Sequence, residues 1–150
     1  MSFELLRNIV FFSVSIVIIY IDIKRLIIPD YLSLPLIGLG IFFSFYTHEP
    51  GWKSSLMGML VGFAIFYIIA WSYTKATRQI GLGGGDVKYL AGIGAFLGIN
   101  GVAYVMLISS ILALIAYLIL RIVKGKSFHR VLPYGPFLAI AAFGYIVFSL

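Results

Sequence analysis

The 150-residue sequence is 62% hydrophobic and only 11% charged, which excludes an ordinary water-soluble domain because such a domain needs far more polar surface. It contains no cysteine, so disulfides, thiol nucleophiles and cysteine-zinc sites are excluded. The net charge of +6 comes without the motif of a nucleic-acid-binding protein, and we expect no nucleic-acid partner. Composition therefore predicts a chain that lies in a bilayer.

Six apolar segments are candidates for membrane-spanning helices, each of which needs about 20 residues to cross a hydrocarbon core of roughly 30 Å. In chain order they are 5–23, 31–46, 56–73, 87–99, 102–123 and 137–150. No small-residue cleavage site follows the first segment, which is therefore predicted to be a retained helix and not a signal peptide. The fourth is short and rich in glycine, so hydropathy alone does not decide whether it spans.

The distribution of the eleven basic residues favours six spans. With the N-terminus outside, only Arg7 and Lys53 fall on the outer side, and the positive-inside rule is obeyed. The nine cytoplasmic ones, for which anionic lipid is the expected partner, are Lys24, Arg25, Lys75, Arg78, Lys88, Arg121, Lys124, Lys126 and Arg130. The sequence thus predicts an all-α polytopic membrane protein with six transmembrane helices. It forms one domain over 1–150 in the cell's plasma (inner) membrane, with both termini on the non-cytoplasmic side.

Asp22 ends an almost unbroken apolar run and is one of five acidic residues in the chain. An ionisable group at that depth is costly and marks a functional site by default. The alternative is that Asp22 merely terminates its helix beside Lys24 and Arg25. A carboxylate at a helix C-terminus gains nothing from the macrodipole, however, so Asp22 is a candidate catalytic residue.

Asp86 follows three glycines, Gly83, Gly84 and Gly85, and opens the fourth segment. Glycine permits backbone conformations that are closed to other residues and lets a second segment approach closely. The alternative is a glycine linker with Asp86 as a helix N-cap, which is a common arrangement. The glycine run favours Asp86 as the second candidate carboxylate.

Asp22 and Asp86 are predicted at the same membrane depth, so packing of their helices would make them a dyad. Two close carboxylates in a low-dielectric site share a proton, because both cannot readily ionise. One then activates water as general base, while the protonated partner polarises the scissile carbonyl. This chemistry hydrolyses a peptide bond without a metal or another cofactor. The alternative function is a proton-coupled transporter or channel subunit that uses the same aspartates as ion relays.

Three stretches of the chain resemble type IV prepilin peptidases. The first is Asp22 followed by 28–36, with the sequence IPDYLSLPL. The second is 83–88, GGGDVK, which matches the Gly-x-Gly-Asp motif of that family and its following lysine. The third is 132–141, LPYGPFLAIA, with Tyr134 where phenylalanine is more usual. The stretches occur in the family's order and extend over nearly the whole chain.

The resemblance implies a membrane endopeptidase with catalytic aspartates Asp22 and Asp86, which cuts prepilins or pseudopilins after a short basic leader at the cytoplasmic face. It also implies supporting roles for Pro29, Asp30, Gly83, Gly84, Gly85, Lys88, Pro133, Gly135 and Pro136. Many members that also methylate the new N-terminus carry paired cysteines before the catalytic core. This chain has no such segment, so methylation, and S-adenosylmethionine as its cofactor, stay open.

Asp30 and Lys88 each have a simpler alternative. Asp30 follows Pro29, which favours a helix N-cap over a third carboxylate that attracts the basic leader. Lys88 comes two residues after Asp86 and cannot share its helix face, so a lipid phosphate or solvent is its predicted neighbour. Neither histidine has metal-ligand spacing, and no metal is expected.

Overall fold

The computed structural model describes residues 3–78, 83–124 and 132–149. These ranges contain helices and no strand, which confirms the all-α prediction. The five helices are α1 (Phe3–Arg25), α2 (Asp30–Ser44), α3 (Gly51–Thr77), α4 (Gly84–Lys124) and α5 (Gly135–Phe148). The prediction of one domain over 1–150 stays a prediction.

Helix α4 joins the two segments that the sequence separates, 87–99 and 102–123, and it is broken at Gly98. Gly98 has φ 73° and ψ −173°, a backbone conformation that glycine adopts readily. The Leu90 carbonyl oxygen and the Val102 Cγ2 atom both lie 3.0 Å from the place that a Cβ on Gly62 would occupy. Residues twelve apart on a straight helix are separated by about 18 Å, so α4 must double back. We call 84–97 its first arm and 99–124 its second arm.

Three of the five helices, α1, α3 and α4, are long and apolar enough to cross a membrane. Helices α2 and α5 are apolar but have only 15 and 14 residues. The coarse prediction of a membrane protein built from apolar helices therefore agrees with the structure. Six spans with both termini outside stay a prediction.

The first arm of α4 is the core of the protein, although its glycine content made it the weakest of the predicted segments. Its buried residues include Tyr89, Leu90, Ile93 and Phe96. Glycines bring the neighbouring backbone close, since a Cβ on Gly94 would lie 2.2 Å from the Gly58 carbonyl oxygen of α3. Small residues allow this kind of close helix packing in membranes. The glycines that weaken the hydropathy signal are thus the ones that build the core.

The helix directions bring the predicted site residues to one end of the bundle. Gly135, at the start of α5, contacts Asp22 near the end of α1. Lys88 of the first arm contacts Asp30 at the start of α2. Ile28, in the loop between α1 and α2, packs against both Gly85 and Gly135 and so connects these two contacts. Residues from all three resembling stretches therefore meet there.

Candidate active site

Asp22 lies three residues before the end of α1, and its side chain is buried. The backbone N–H of Gly135 donates a hydrogen bond of 2.9 Å to its Oδ2 atom. The first N–H groups of a helix have no partner within the helix, so the start of α5 supplies a donor that a carboxylate can satisfy. Asp22 is therefore oriented by the opposite end of the chain.

Asp86 lies in the first turn of α4 and is half-buried. Its N–H donates to the Gly83 carbonyl oxygen at 3.1 Å, and α4 begins at Gly84. Asp86 is thus inside the helix, and the alternative of an N-cap is wrong. A Cβ on Gly83 would lie 3.1 Å from the Asp86 Oδ2 atom, so the glycine leaves this carboxylate uncrowded.

The two aspartates line one cavity of about 190 Å³. Its other lining residues come from the loop after α1 and from the glycine run, and they are Leu26, Ile27, Ile28, Gly83, Gly84 and Gly85. The cavity has room for water beside both carboxylates. An apolar wall next to two acids suits proton-sharing chemistry, because low polarity disfavours two adjacent charges.

Ile28 explains why two motif positions are glycine. Its side chain is buried between the starts of α4 and α5. A Cβ on Gly85 would lie 2.7 Å from the Ile28 carbonyl oxygen. A Cβ on Gly135 would lie 3.2 Å from Ile28 Cδ1 and 2.8 Å from the Asp22 Oδ2 atom. Gly85 and Gly135 therefore let three backbone segments meet beside the dyad.

The N-cap prediction for Asp30 is wrong, and Lys88 has a partner that the sequence did not predict. Pro29 occupies the N-cap position of α2, with no side-chain capping bond, and Asp30 is the first residue of the helix. The Lys88 Nζ atom lies 2.7 Å from both carboxylate oxygens of Asp30. This ion pair gives Lys88 a protein partner, while its side chain stays 33% exposed.

The start of α5 is held by Tyr134, the residue that departs from the usual phenylalanine. Its hydroxyl lies 3.0 Å from Ser109 Oγ and 3.2 Å from Ser110 Oγ, both on the second arm of α4. Its ring packs against Phe66, with centroids 5.9 Å apart. The two serines were not predicted as site residues; in the sequence they appear only as a polar pair in the apolar segment 102–123.

Two further motif residues flank this turn. Pro133 precedes Tyr134, and Pro136 lies in the first turn of α5, where the missing N–H of proline costs no helix bond. The predicted lipid contacts of Lys126 and Arg130, and of the Lys124 side chain, lie outside the described residues.

A larger cavity of about 560 Å³ lies at the opposite end of the bundle and contains none of the predicted site residues. Its lining includes Glu4, Arg7, Asn8 and Glu49. Arg7 donates hydrogen bonds to the Asn8 side chain and to the Glu49 carbonyl oxygen. Size alone would select this cavity, whereas the chemistry of paired carboxylates selects the smaller one.

Comparison with known proteins identifies the family of the chain. Residues 9–119 match the type IV leader peptidase family. A prepilin leader peptidase/N-methyltransferase of Xanthomonas campestris is 36% identical over 128 residues, which are 85% of this chain and 44% of that protein. One from Neisseria gonorrhoeae is 32% identical over 130 residues, which are 87% of this chain and 43% of that protein. The leader peptidase HopD of Escherichia coli is 32% identical over 136 residues, which are 90% of this chain and 88% of that protein.

The chain spans less than half the length of the first two relatives and most of the third. No solved structure matches it. The match of the family covers most of the chain and includes Asp22 and Asp86. This chain belongs to the type IV leader peptidase family.

Proposed function

We propose that the protein is an intramembrane aspartyl endopeptidase that removes the basic leader from prepilin-like substrates, namely type IV pilins, pseudopilins or competence pilins. The observation that carries the proposal is the shared cavity, in which Asp22 and Asp86 come together from separate helices. Membership of the leader peptidase family supports the same reaction. The protein would bind the substrate through the substrate's hydrophobic helix and its leader. The peptidase reaction needs no cofactor, and S-adenosylmethionine is required only if methylation also occurs.

In the proposed reaction Asp22 is the ionised partner, because the hydrogen bond from Gly135 favours a charged carboxylate. Asp22 takes a proton from water while the water oxygen attacks the scissile carbonyl carbon. Asp86 carries the shared proton and donates a hydrogen bond to the carbonyl oxygen. When the C–N bond breaks, the proton on Asp22 passes to the leaving amine. The products are a free acid and a free amine, and the dyad again holds one proton.

The proposed topology has six spans, with the dyad facing the cytoplasm. The doubling back of α4 supports it, because the two arms supply the fourth and fifth passes. The basic residues add support, since nine of eleven fall on the cytoplasmic side of this arrangement. A reporter fused after Lys124 should give a cytoplasmic signal, and an external signal would overturn the topology.

Cleavage of a prepilin peptide tests the function directly. The chain in vesicles that contain phosphatidylglycerol is incubated with the peptide, with and without S-adenosylmethionine, and products are read by mass spectrometry. Asp22→Asn and Asp86→Asn should each lower the rate by about 10³-fold or more, since general acid–base groups contribute about 10² to 10⁴. Glu49→Gln, the same change in a carboxylate at the other end, should leave the rate unchanged.

Retained cleavage in either aspartate variant contradicts the dyad. Absence of cleavage by the wild-type chain, together with proton flux across the same vesicles that Asp22→Asn abolishes, would favour the transporter alternative. Thermal unfolding of each variant distinguishes a loss of activity from a loss of the folded structure.

A further inference from the structure

Lys88 and Asp30 form the only salt bridge found among the described residues. The lysine contacts both oxygens at 2.7 Å, so the pair is well defined in geometry. Lys88 is two residues after Asp86, and Asp30 is two residues after Ile28. The ion pair therefore joins the segment that carries one catalytic candidate to the loop that follows the helix of the other.

A second contact joins the same two segments, the loop after α1 and the start of α4. The backbone of Ile28 lies against Gly85, one residue before Asp86. On the other side of the loop, the Leu26 N–H donates to the Asp22 carbonyl oxygen at 2.8 Å. A short path of direct contacts thus runs from Asp22 through the loop to Asp86, and the ion pair closes it.

Charge argues against a role for Asp30 in attracting the basic leader. The Lys88 ammonium contacts both of its oxygens and neutralises its charge, so the pair carries no net charge that would attract a basic leader. The side chains are 33% and 58% exposed, and partly exposed ion pairs contribute little to stability. Catalysis is far more sensitive to position, because a misplacement of about 1 Å can cost roughly 10²-fold in rate.

We propose that the Lys88–Asp30 ion pair fixes Asp86 at its working distance from Asp22, and that both are positioning residues that do not contact the leader. The inference rests on the proposed peptidase function. It names a contact that the sequence alone does not show, because 58 residues separate the two side chains.

The kinetic test uses Lys88→Met, Asp30→Asn and the double variant on two peptides, one with a basic leader and one whose leader lysines and arginines are glutamine. Each single change should lower kcat about 10-fold, equally for both peptides, and leave KM unchanged. The double variant should lose no more than either single one, because the pair acts as a unit. Asp30→Glu and Lys88→Arg should keep most of the rate. Lys75→Met, a lysine that lies over the Trp71 ring of α3, is the matched control.

Two results would overturn the inference. A rise in KM for the basic leader alone in Asp30→Asn would assign Asp30 to the leader. Unchanged kcat in Lys88→Met would remove the positioning role. If the wild-type chain cleaves neither peptide, the proposed function fails and a second measurement still examines the ion pair.

That measurement uses the absence of cysteine from the chain. Spin labels at Tyr31→Cys, an exposed position of α2, and at Gly84→Cys, where an added Cβ meets nothing within 4 Å, report the distance between the two segments. Lys88→Met should broaden or lengthen that distance, and Lys75→Met should not. An unchanged distance in Lys88→Met contradicts the inference independently of peptidase activity.

Discussion

The two aspartates share one cavity but are held in place by different parts of the chain. Asp22 accepts its hydrogen bond from Gly135, 113 residues away, and is 4% exposed. Asp86 is half-buried and lies among the glycines of its own motif, with the Lys88–Asp30 ion pair beside it. One carboxylate therefore depends on the docking of α5, and the other on the docking of the loop between α1 and α2.

This difference has a consequence for the reaction. A buried carboxylate that accepts a backbone N–H is held in one orientation, which suits the group that must take a proton from water. Asp86 lines the same cavity but is half-buried, which suits the group that would donate a hydrogen bond to a peptide carbonyl in the proposed reaction. The two environments thus suit two different roles, as in other pairs of titratable catalytic groups.

Gly135→Ala is the strongest way to disturb the Asp22 side without touching a carboxylate. The added Cβ would lie 2.8 Å from the Asp22 Oδ2 atom, so either the carboxylate rotates or the start of α5 moves. We expect kcat to fall about 100-fold, because Asp22 loses both its position and the hydrogen bond that orients it. Kinetics on a prepilin peptide measures the effect, and thermal unfolding checks the fold.

Gly38→Ala is the matched control for this prediction, since an added Cβ there meets nothing within 4 Å. It should leave kcat unchanged. If Gly135→Ala keeps full activity with an intact fold, the hydrogen bond from α5 has no part in placing Asp22.

Gly85→Ala disturbs the Asp86 side instead. Its Cβ would lie 2.7 Å from the Ile28 carbonyl oxygen, and a backbone atom cannot move away as cheaply as a side-chain end. The loop and α4 should separate by a few tenths of an ångström, and we expect kcat to fall about 10-fold. The effect is smaller than in Gly135→Ala because the new atom meets the loop and not a catalytic oxygen.

Gly84→Ala, one residue earlier, is its control. An added Cβ there meets nothing within 4 Å, so both activity and stability should be kept. Equal losses in Gly84→Ala and Gly85→Ala would show that the glycine run matters for backbone freedom and not for the contact with Ile28.

The sequence singled out the two carboxylates that line the cavity, but it did not predict the contacts that hold them. Asp22 and Asp86 stand out because a charge in an apolar run and a glycine run are both local signals. The bond from Gly135 to Asp22 and the pair Lys88–Asp30 carry no local signal, because each depends on how distant helices dock. Ser109 and Ser110 are visible as a polar pair in an apolar segment, but their contact with Tyr134 likewise depends on how α5 docks.

The fold shows the same limit at α4. Hydropathy and charge predicted both segments, 87–99 and 102–123, and the structure keeps them as the two arms. The sequence did not predict that Gly98 between them is non-helical, since nothing in the local pattern distinguishes Gly98 from its neighbours Gly94 and Gly101. The close approach of α3, which selects glycine at Gly58 and Gly94, exists only in the packed bundle.

Tyr134→Phe should give the smallest effect and the sharpest comparison. The ring stays against Phe66, but the contacts with Ser109 and Ser110 are lost, so the turn that presents Gly135 to Asp22 is held less firmly. We expect kcat to fall about 3-fold with KM unchanged.

Combining Tyr134→Phe with Lys88→Met decides whether the two supports are separate. The first acts on Asp22 through α5 and the second on Asp86 through α2, and the two sets of contacts have no residue in common, although Ile28 packs against both Gly85 and Gly135. Effects at independent sites add in free energy, so the two losses in kcat should multiply. A combined loss no larger than that of Lys88→Met alone would mean that one connected network holds both carboxylates, and the contrast between them would then be wrong.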